Sequence, residues 1–158
     1  MLLHSHSPER IQIKAPVFEL RVSASAVPEG ANLQLDVTLE PTVGGIVAHG
    51  KLVAPWSGEC RRCLEAASGL VQAEFRELFE HDPSDEMTFP IKHEQIDLEP
   101  LVREAVLVEL PQAPLCRTDC AGLCPDCGAN RKDVASCDCT VDLADPRWAD
   151  LDQLKSDS

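Results

Sequence analysis

The sequence predicts an α+β fold: a small antiparallel β-sheet or partial barrel packed against one main helix, followed by a C-terminal cysteine-rich module. Three observations predict it. Apolar residues recur at period two between residues 11 and 80, the period lengthens to that of a helix near Asp97, and six of the eight cysteines fall between Cys116 and Cys139. At 158 residues the chain is long enough for one core with a small appended module. Aromatics make up 4% and tyrosine is absent, so that core is built mainly of Leu, Val, Ile and Ala.

Residues 1–10 are polar and read as a flexible N-terminus, and residues 11–114 as the β-rich body. "LQLDVTLE" sets Leu33, Leu35, Val37 and Leu39 on one face, the pattern of a half-buried strand. "VGGIVAHGKLVA" shows a looser alternation of Ile46, Ala48, Lys51 and Val53, with Gly44-Gly45 suited to the turn before it. "VQAEFRELF" alternates Val71, Ala73, Phe75, Glu77 and Phe79 and reads as a further strand, with a helix as the competing reading. Residues 81–90 form an acidic connection ended by Pro90. Asp97 then caps a helix over 98–109, with Pro100 in the first turn, where its missing donor costs little. Leu98, Leu101, Val102, Ala105, Val106 and Val108 give this helix an apolar stripe, and Pro111 stops it. Residues 115–141 form the cysteine-rich module. Residues 142–158 hold a short terminal helix and tail, with Asp145-Pro146 as its start and Trp148, Leu151 and Leu154 on the face expected to dock on the body.

The formal charge of −13 disfavours broad electrostatic binding to nucleic acid. Residues 74–104 carry ten acids against Arg76, Lys92 and Arg103. Five of the fourteen basic residues sit beside cysteines: Arg61, Arg62, Arg117, Arg131 and Lys132. They either solvate loops and offset thiolate charge or make a local contact with RNA or a partner. No run approaches the ~18 apolar residues of a transmembrane helix, and "MLLHSHSPER" lacks the apolar stretch of a secretory signal. A cytoplasmic location is expected, with no membrane association. Thiols stay reduced there, and crowded cysteines are more often a metal site than a disulfide framework.

The cysteines form four close pairs: Cys60/Cys63 and Cys124/Cys127 as C-x2-C, Cys116/Cys120 as C-x3-C, and Cys137/Cys139 as C-x-C. A two-residue gap lets both thiolates of a tight turn face one ion while backbone N–H groups donate to the sulfurs. Gly128, just after "CPDC", permits the left-handed backbone that frees those donors. Zinc takes four such ligands in a tetrahedron, so four pairs make two zinc-knuckle sites. Spacing favours Cys124, Cys127, Cys137 and Cys139 as the local set, leaving Cys60 and Cys63 to meet Cys116 and Cys120 across a long loop. A rival grouping puts Cys116, Cys120, Cys124 and Cys127 on one ion. The radical-enzyme iron–sulfur spacing is present at Cys120, Cys124 and Cys127, but only 31 residues follow, too few for a barrel around a cluster. "CRRC" follows Gly58 among alternating strands and so reads as a β-turn, not as a thioredoxin-type helix start. His49, His81 and His93 lack ligand spacing for an open, catalytic zinc.

"GECRRCLE", "IDLEPLVREAVLVELPQAPLC" and "DCAGLCPDCGANRKD…CDC", in that order over roughly residues 10–150, resemble the YceD family, the large-ribosomal-RNA-subunit accumulation proteins, in its longer, cysteine-rich Gram-positive-type form. The chain departs from such endings at Arg131-Lys132, where they more often read Leu-Asn. In the shorter form the "CPxCG…CxC" portion is missing while the first pair and the residues after the helix are kept. The resemblance thereby supports Cys60, Cys63, Cys116 and Cys120 as one shared site. It implies a role in synthesis, processing or accumulation of large-subunit (23S) ribosomal RNA and supplies no catalytic residue. Beside it, the acidic stretch 74–104 suits a basic ribosomal protein or assembly intermediate as partner of a non-catalytic factor, with no small-molecule substrate expected. The alternative from another class is a zinc-dependent nuclease or thiol oxidoreductase, which would need an open metal or a reactive thiol.

Overall fold

A computed structural model describes residues 7–83, 88–132, 137 and 139. The polar N-terminal stretch up to residue 6 and the terminal helix expected around Trp148 lie outside the described residues. Six strands and one helix follow in order: β1 (Glu9–Pro16), β2 (Ser25–Ala26), β3 (Asn32–Thr42), β4 (Gly45–Glu59), β5 (Ala66–Glu80), β6 (Phe89–Pro90) and α1 (Glu99–Glu109). They make one open sheet in the order β1-β3-β4-β5-β6, with β2 beside β4. Every pairing is antiparallel except that of β5 with the short β6. The α+β expectation holds, with an open sheet.

One face of the sheet is apolar. Leu33, Leu35, Val37 and Leu39 of β3 are buried, as are Ile46, Ala48, Leu52 and Ala54 of β4 and Val71, Ala73 and Phe79 of β5. The alternation in β4 is therefore continuous through Gly50, and Lys51 and Val53 point the other way. The alternation looks loose in the sequence because Gly50 carries no side chain to mark the phase. A Cβ built on Gly50 would lie 2.1 Å from the Asp36 carbonyl oxygen and 2.8 Å from Val37 Cα. Only glycine permits β3 and β4 to approach this closely where the sheet coils. Val43 and Gly44 form the two-residue turn between these strands, and Gly44 adopts φ 92° there.

Helix α1 covers the apolar face, burying Leu101, Val106 and, just beyond it, Leu110 against β5 and β4. The helix starts at Glu99, one residue later than expected, and its N-cap position is Leu98, which makes no side-chain cap. Asp97, just ahead of it, still accepts the backbone N–H of Glu99 through Oδ1 at 3.0 Å, satisfying one of the donors a helix start leaves open. The helix ends at Glu109, ahead of Pro111. Val108 is 73% exposed and stands apart from the buried stripe. At a period of 3.6 it projects about 160° around the axis from Val106, although it stands one heptad from Leu101. No helix among the described residues is long and apolar enough to cross a membrane.

The opposite sheet face is polar and charged. Asp36, Lys51 and Glu74 lie side by side on β3, β4 and β5, and Arg10 of β1 holds Asp36 in a forked ion pair, Nε to Oδ1 at 2.8 Å. This alternation of sign suits a face left to water.

Two outcomes are expected of the sheet. Gly50→Ala forces a methyl group into backbone and should lower stability by about 3 kcal/mol by chemical denaturation, at the upper end of overpacking costs. The Arg10 guanidinium, by its hydrogen bond above all, lowers the Asp36 carboxyl from 3.8 to about 2. The pair's contribution is complete above pH ~4 and vanishes as pH falls through about 2, because protonation then removes the anion. An NMR titration should find the Asp36 carboxyl carbon still ionised at pH 3, and Arg10→Ala should return it to an ordinary midpoint.

Two four-cysteine clusters as the candidate metal centre

The β4–β5 hairpin ends in the six residues 60–65, "CRRCLE", as the turn expected of them. Cys60 N donates to Glu65 O at 2.7 Å and Leu64 N to Cys60 O at 2.8 Å. The "CPDCGA" segment repeats this bond for bond: Cys124 N donates to Ala129 O at 2.7 Å and Gly128 N to Cys124 O at 2.9 Å. In both loops the residue after the second cysteine is left-handed, Gly128 with φ 72° and Leu64 with φ 61°. The glycine announced one knuckle in the sequence. The other pays about 1 kcal/mol to hold a leucine in the same conformation, and Leu64 gains little from packing, being 63% exposed.

The segment after α1 runs back to the hairpin tip. Ser25 Oγ donates to Pro111 O at 2.8 Å, and Arg61 N to Pro114 O at 2.9 Å. Pro114 is fully buried at that contact. Cys116 and Cys120 are thereby delivered to Cys60 and Cys63. The Cys60 and Cys120 sulfurs are 3.8 Å apart, and those of Cys63 and Cys116 3.6 Å apart. All four lie within 4.8 Å of one another, as do the sulfurs of Cys124, Cys127, Cys137 and Cys139. These are the two sets favoured by spacing; the rival set is not assembled. The first cluster rests on Trp56, Ala67, Leu115 and Leu123.

The separations discriminate between chemistries. A disulfide needs sulfurs ~2.05 Å apart, and all eight cysteines are free. Sulfurs ~2.3 Å from a tetrahedral ion stand ~3.8 Å from one another, the edge of that tetrahedron. The observed pairs fit this edge, so the donor sets fit a thiophilic divalent ion. Among the described residues, neither cluster includes a histidine or a carboxylate.

The electrostatics are alike in the two clusters. The backbone N–H of Cys116, with those of Arg62 and Cys63, lowers Cys60 to about 6. The N–H groups of Cys127 and Asp126 lower Cys124 to about 6. Burial, reinforced by its neighbours' sulfurs, drives Cys116 up to about 12, and the Cys127 sulfur, then burial, does the same to Cys139. At Cys63 the Glu65 N–H pulls downward, yet burial and Cys60 outweigh it and the thiol is raised. Cys137 is likewise raised, the Cys139 N–H being outweighed by the Cys124 sulfur and burial. In each cluster one thiol is lowered, and two of its neighbours are raised by burial and the sulfurs around them.

The basic residues singled out in the sequence fall into two groups. Arg62 Nη1 donates to Cys120 O at 2.8 Å, Arg117 pairs with Asp119 at 3.2 Å, and Lys132 pairs with Glu65. Arg61 is exposed and Arg131 half-buried, with no side-chain partner among the described residues. Sequence reasoning gave no role to Glu65 or Asn130, although Asn130 Nδ2 donates to Glu65 Oε1 at 2.9 Å and so ties one knuckle to the other. A carboxylate immediately after a knuckle was the available signal. For the strained position, Leu64→Gly should leave both clusters intact and raise thermal stability, by up to about 1 kcal/mol after glycine's own entropic cost.

Comparison with known proteins places this architecture. The chain is 38% identical to an uncharacterised protein of Mycobacterium tuberculosis over 156 residues, 94% of this chain and 70% of that one. It is 37% identical to a Mycobacterium leprae protein over 132 residues, 79% of this chain and 60% of the other. A shorter stretch of 58 residues, 37% of this chain and 20% of the relative, is 34% identical to a chloroplastic large ribosomal RNA subunit accumulation protein YCED homologue of Zea mays. No solved structure matches. The profile of the large ribosomal RNA subunit accumulation protein YceD matches residues 48–155, from β4 through both cysteine clusters, and the chain belongs to that family.

Proposed function

We propose that this protein is a non-catalytic factor in biogenesis of the large ribosomal subunit, supporting synthesis, processing or accumulation of 23S ribosomal RNA, and that two zinc ions rivet its structure. Family membership supports the ribosomal role. The single observation that carries the zinc reading is the assembly of eight thiols into two four-sulfur sets of tetrahedral dimensions. Cys60, Cys63, Cys116 and Cys120 would hold one ion, fastening the hairpin tip to the segment after α1. Cys124, Cys127, Cys137 and Cys139 would hold the other. Zinc with four thiolates supplies a crosslink and has no open position for substrate or water. That saturation favours a structural role over a metal-dependent nuclease, and sulfurs bound to an ion are not free for thiol exchange.

Charge guides the choice of partner. Glu74, Asp82, Glu94, Asp97, Glu99, Glu104 and Glu109 are all exposed. Each filled four-thiolate site would add a formal −2 to a chain already at −13. A basic ribosomal protein, alone or within an assembly intermediate, complements this surface better than a bare phosphate backbone does. Three of the five basic residues near the cysteines are already paired within the chain, which leaves little for extended RNA contact.

Native mass spectrometry should find two zinc ions per chain. Cys124→Ser with Cys127→Ser should retain one ion and the fold of the sheet and helix. Cys60→Ser with Cys63→Ser should also lose one, together with protease resistance at Pro114–Cys120. Affinity capture from cell extract should retain a basic ribosomal protein after nuclease treatment and lose it at high salt. Capture of ribosomal RNA with no ribosomal protein required would overturn the acidic-surface reading.

A further inference from the structure

Two bridges join the hairpin tip to the second cysteine cluster. In one, Leu123 N, directly before Cys124, donates to Arg62 O at 3.0 Å. In the other, the Glu65 carboxylate accepts from Asn130 Nδ2 through Oε1 and from the Lys132 ammonium through Oε2. Asn130 Oδ1 accepts the Lys132 backbone N–H at 3.0 Å, and Arg131 N donates to Gly122 O at 2.8 Å. Residues 130–132, where the chain leaves the second knuckle toward Cys137, are thus fastened to the first knuckle. Glu65 is itself fixed there, because its carbonyl accepts from Cys60 N at 2.7 Å.

The clusters also differ in access. Cys60, Cys63 and Cys120 are buried and Cys116 is half-buried. In the second cluster only Cys124 is buried, Cys137 is half-buried, and Cys127 and Cys139 are exposed. A competing chelator removes an ion by approaching its ligands, and only the second cluster includes exposed cysteines.

Resting on the zinc reading above, we infer that the two sites empty in a fixed order, the second before the first, and that Glu65 is the positioning residue that sets retention of the second ion. Its carboxylate holds the exit of the second knuckle in register with the first, so the sulfurs of Cys127 and Cys137 stay at ligand spacing. Without it, the ties of residues 130–132 among the described residues run through Gly122 and Leu123, and the spacing loosens. The body then remains assembled around its buried ion while the outer site follows the availability of a thiophilic divalent metal.

The test uses the full chain loaded with Co2+, whose thiolate absorption reports sulfur ligation, challenged with excess EDTA. Two release phases are expected, and the Cys124→Ser, Cys127→Ser variant should lack the fast one. Glu65→Ala should accelerate the fast phase by about three- to tenfold, the worth of an exposed ion pair and a hydrogen bond to a charged group, and leave the slow phase unchanged. Asn130→Ala probes the bridge from its other end and should accelerate the same phase. Glu65→Gln keeps an acceptor for Asn130 and loses the charge facing Lys132, so it should fall between wild type and Glu65→Ala. A single phase, a fast phase surviving in the Cys124/Cys127 variant, or bridge variants that act on both phases equally or on neither would overturn the inference. Absence of cobalt–thiolate absorption would instead overturn the metal reading on which it rests.

Discussion

Four thiols within 4.8 Å of one another cannot all carry charge unless a cation stands among them. The rest of the structure depends on this constraint, which operates twice. In each cluster backbone amides pull one thiol down to about 6, and burial together with neighbouring sulfurs drives another up to about 12. The sheet is built to produce the first crowd: β4 and β5 pair along their whole 15-residue lengths and so carry a rigid turn beyond the body. The helix stops ahead of Pro111, and the chain that follows is pinned at Pro111 and Pro114 before it reaches that turn. Fold and site are one construction, since the same hairpin supplies the centre of the sheet and half of the first cluster.

Much of this construction can be read in the chain, for identifiable reasons. Strand β3 alternates without interruption from Leu33 to Leu39, and every one of those residues is buried. The helix carries its own stop and start signals in Asp97, Pro100 and Pro111. The two cysteine sets follow from loop length: a short loop closes Cys127 onto Cys137, and the remaining pairs have only each other. Other features are silent. Gly50 hides the phase of β4, because the residue that lets the strands approach has no side chain to count. Leu64 occupies a position where backbone geometry calls for glycine, and no local pattern marks an exception of that kind. Glu65 is one acid among twenty-seven acidic side chains, and its partners lie 65 and 67 residues away.

The family relationship and the charge distribution bear on different parts of the molecule. The profile match begins at residue 48, within β4, and takes in β5, α1 and the cysteine clusters. The Mycobacterium tuberculosis relative extends the likeness over 94% of the chain. The shared portion is the one that carries both cysteine clusters. Exposed acids lie on β5, at Asp82 and Glu94 in the connection after it, and on α1. A partner held by charge there would leave the clusters to fix shape, a division of labour consistent with a factor that positions other molecules and transforms none.

X-ray absorption at the zinc edge tests the central claim most directly, because it counts the atoms around the ion. The proposed closed sites predict four sulfur neighbours at ~2.3 Å per zinc and no light-atom ligand. A shell mixing sulfur with nitrogen or oxygen, or a coordination number that leaves a vacancy, would contradict it and return the protein to the class of candidate metalloenzymes.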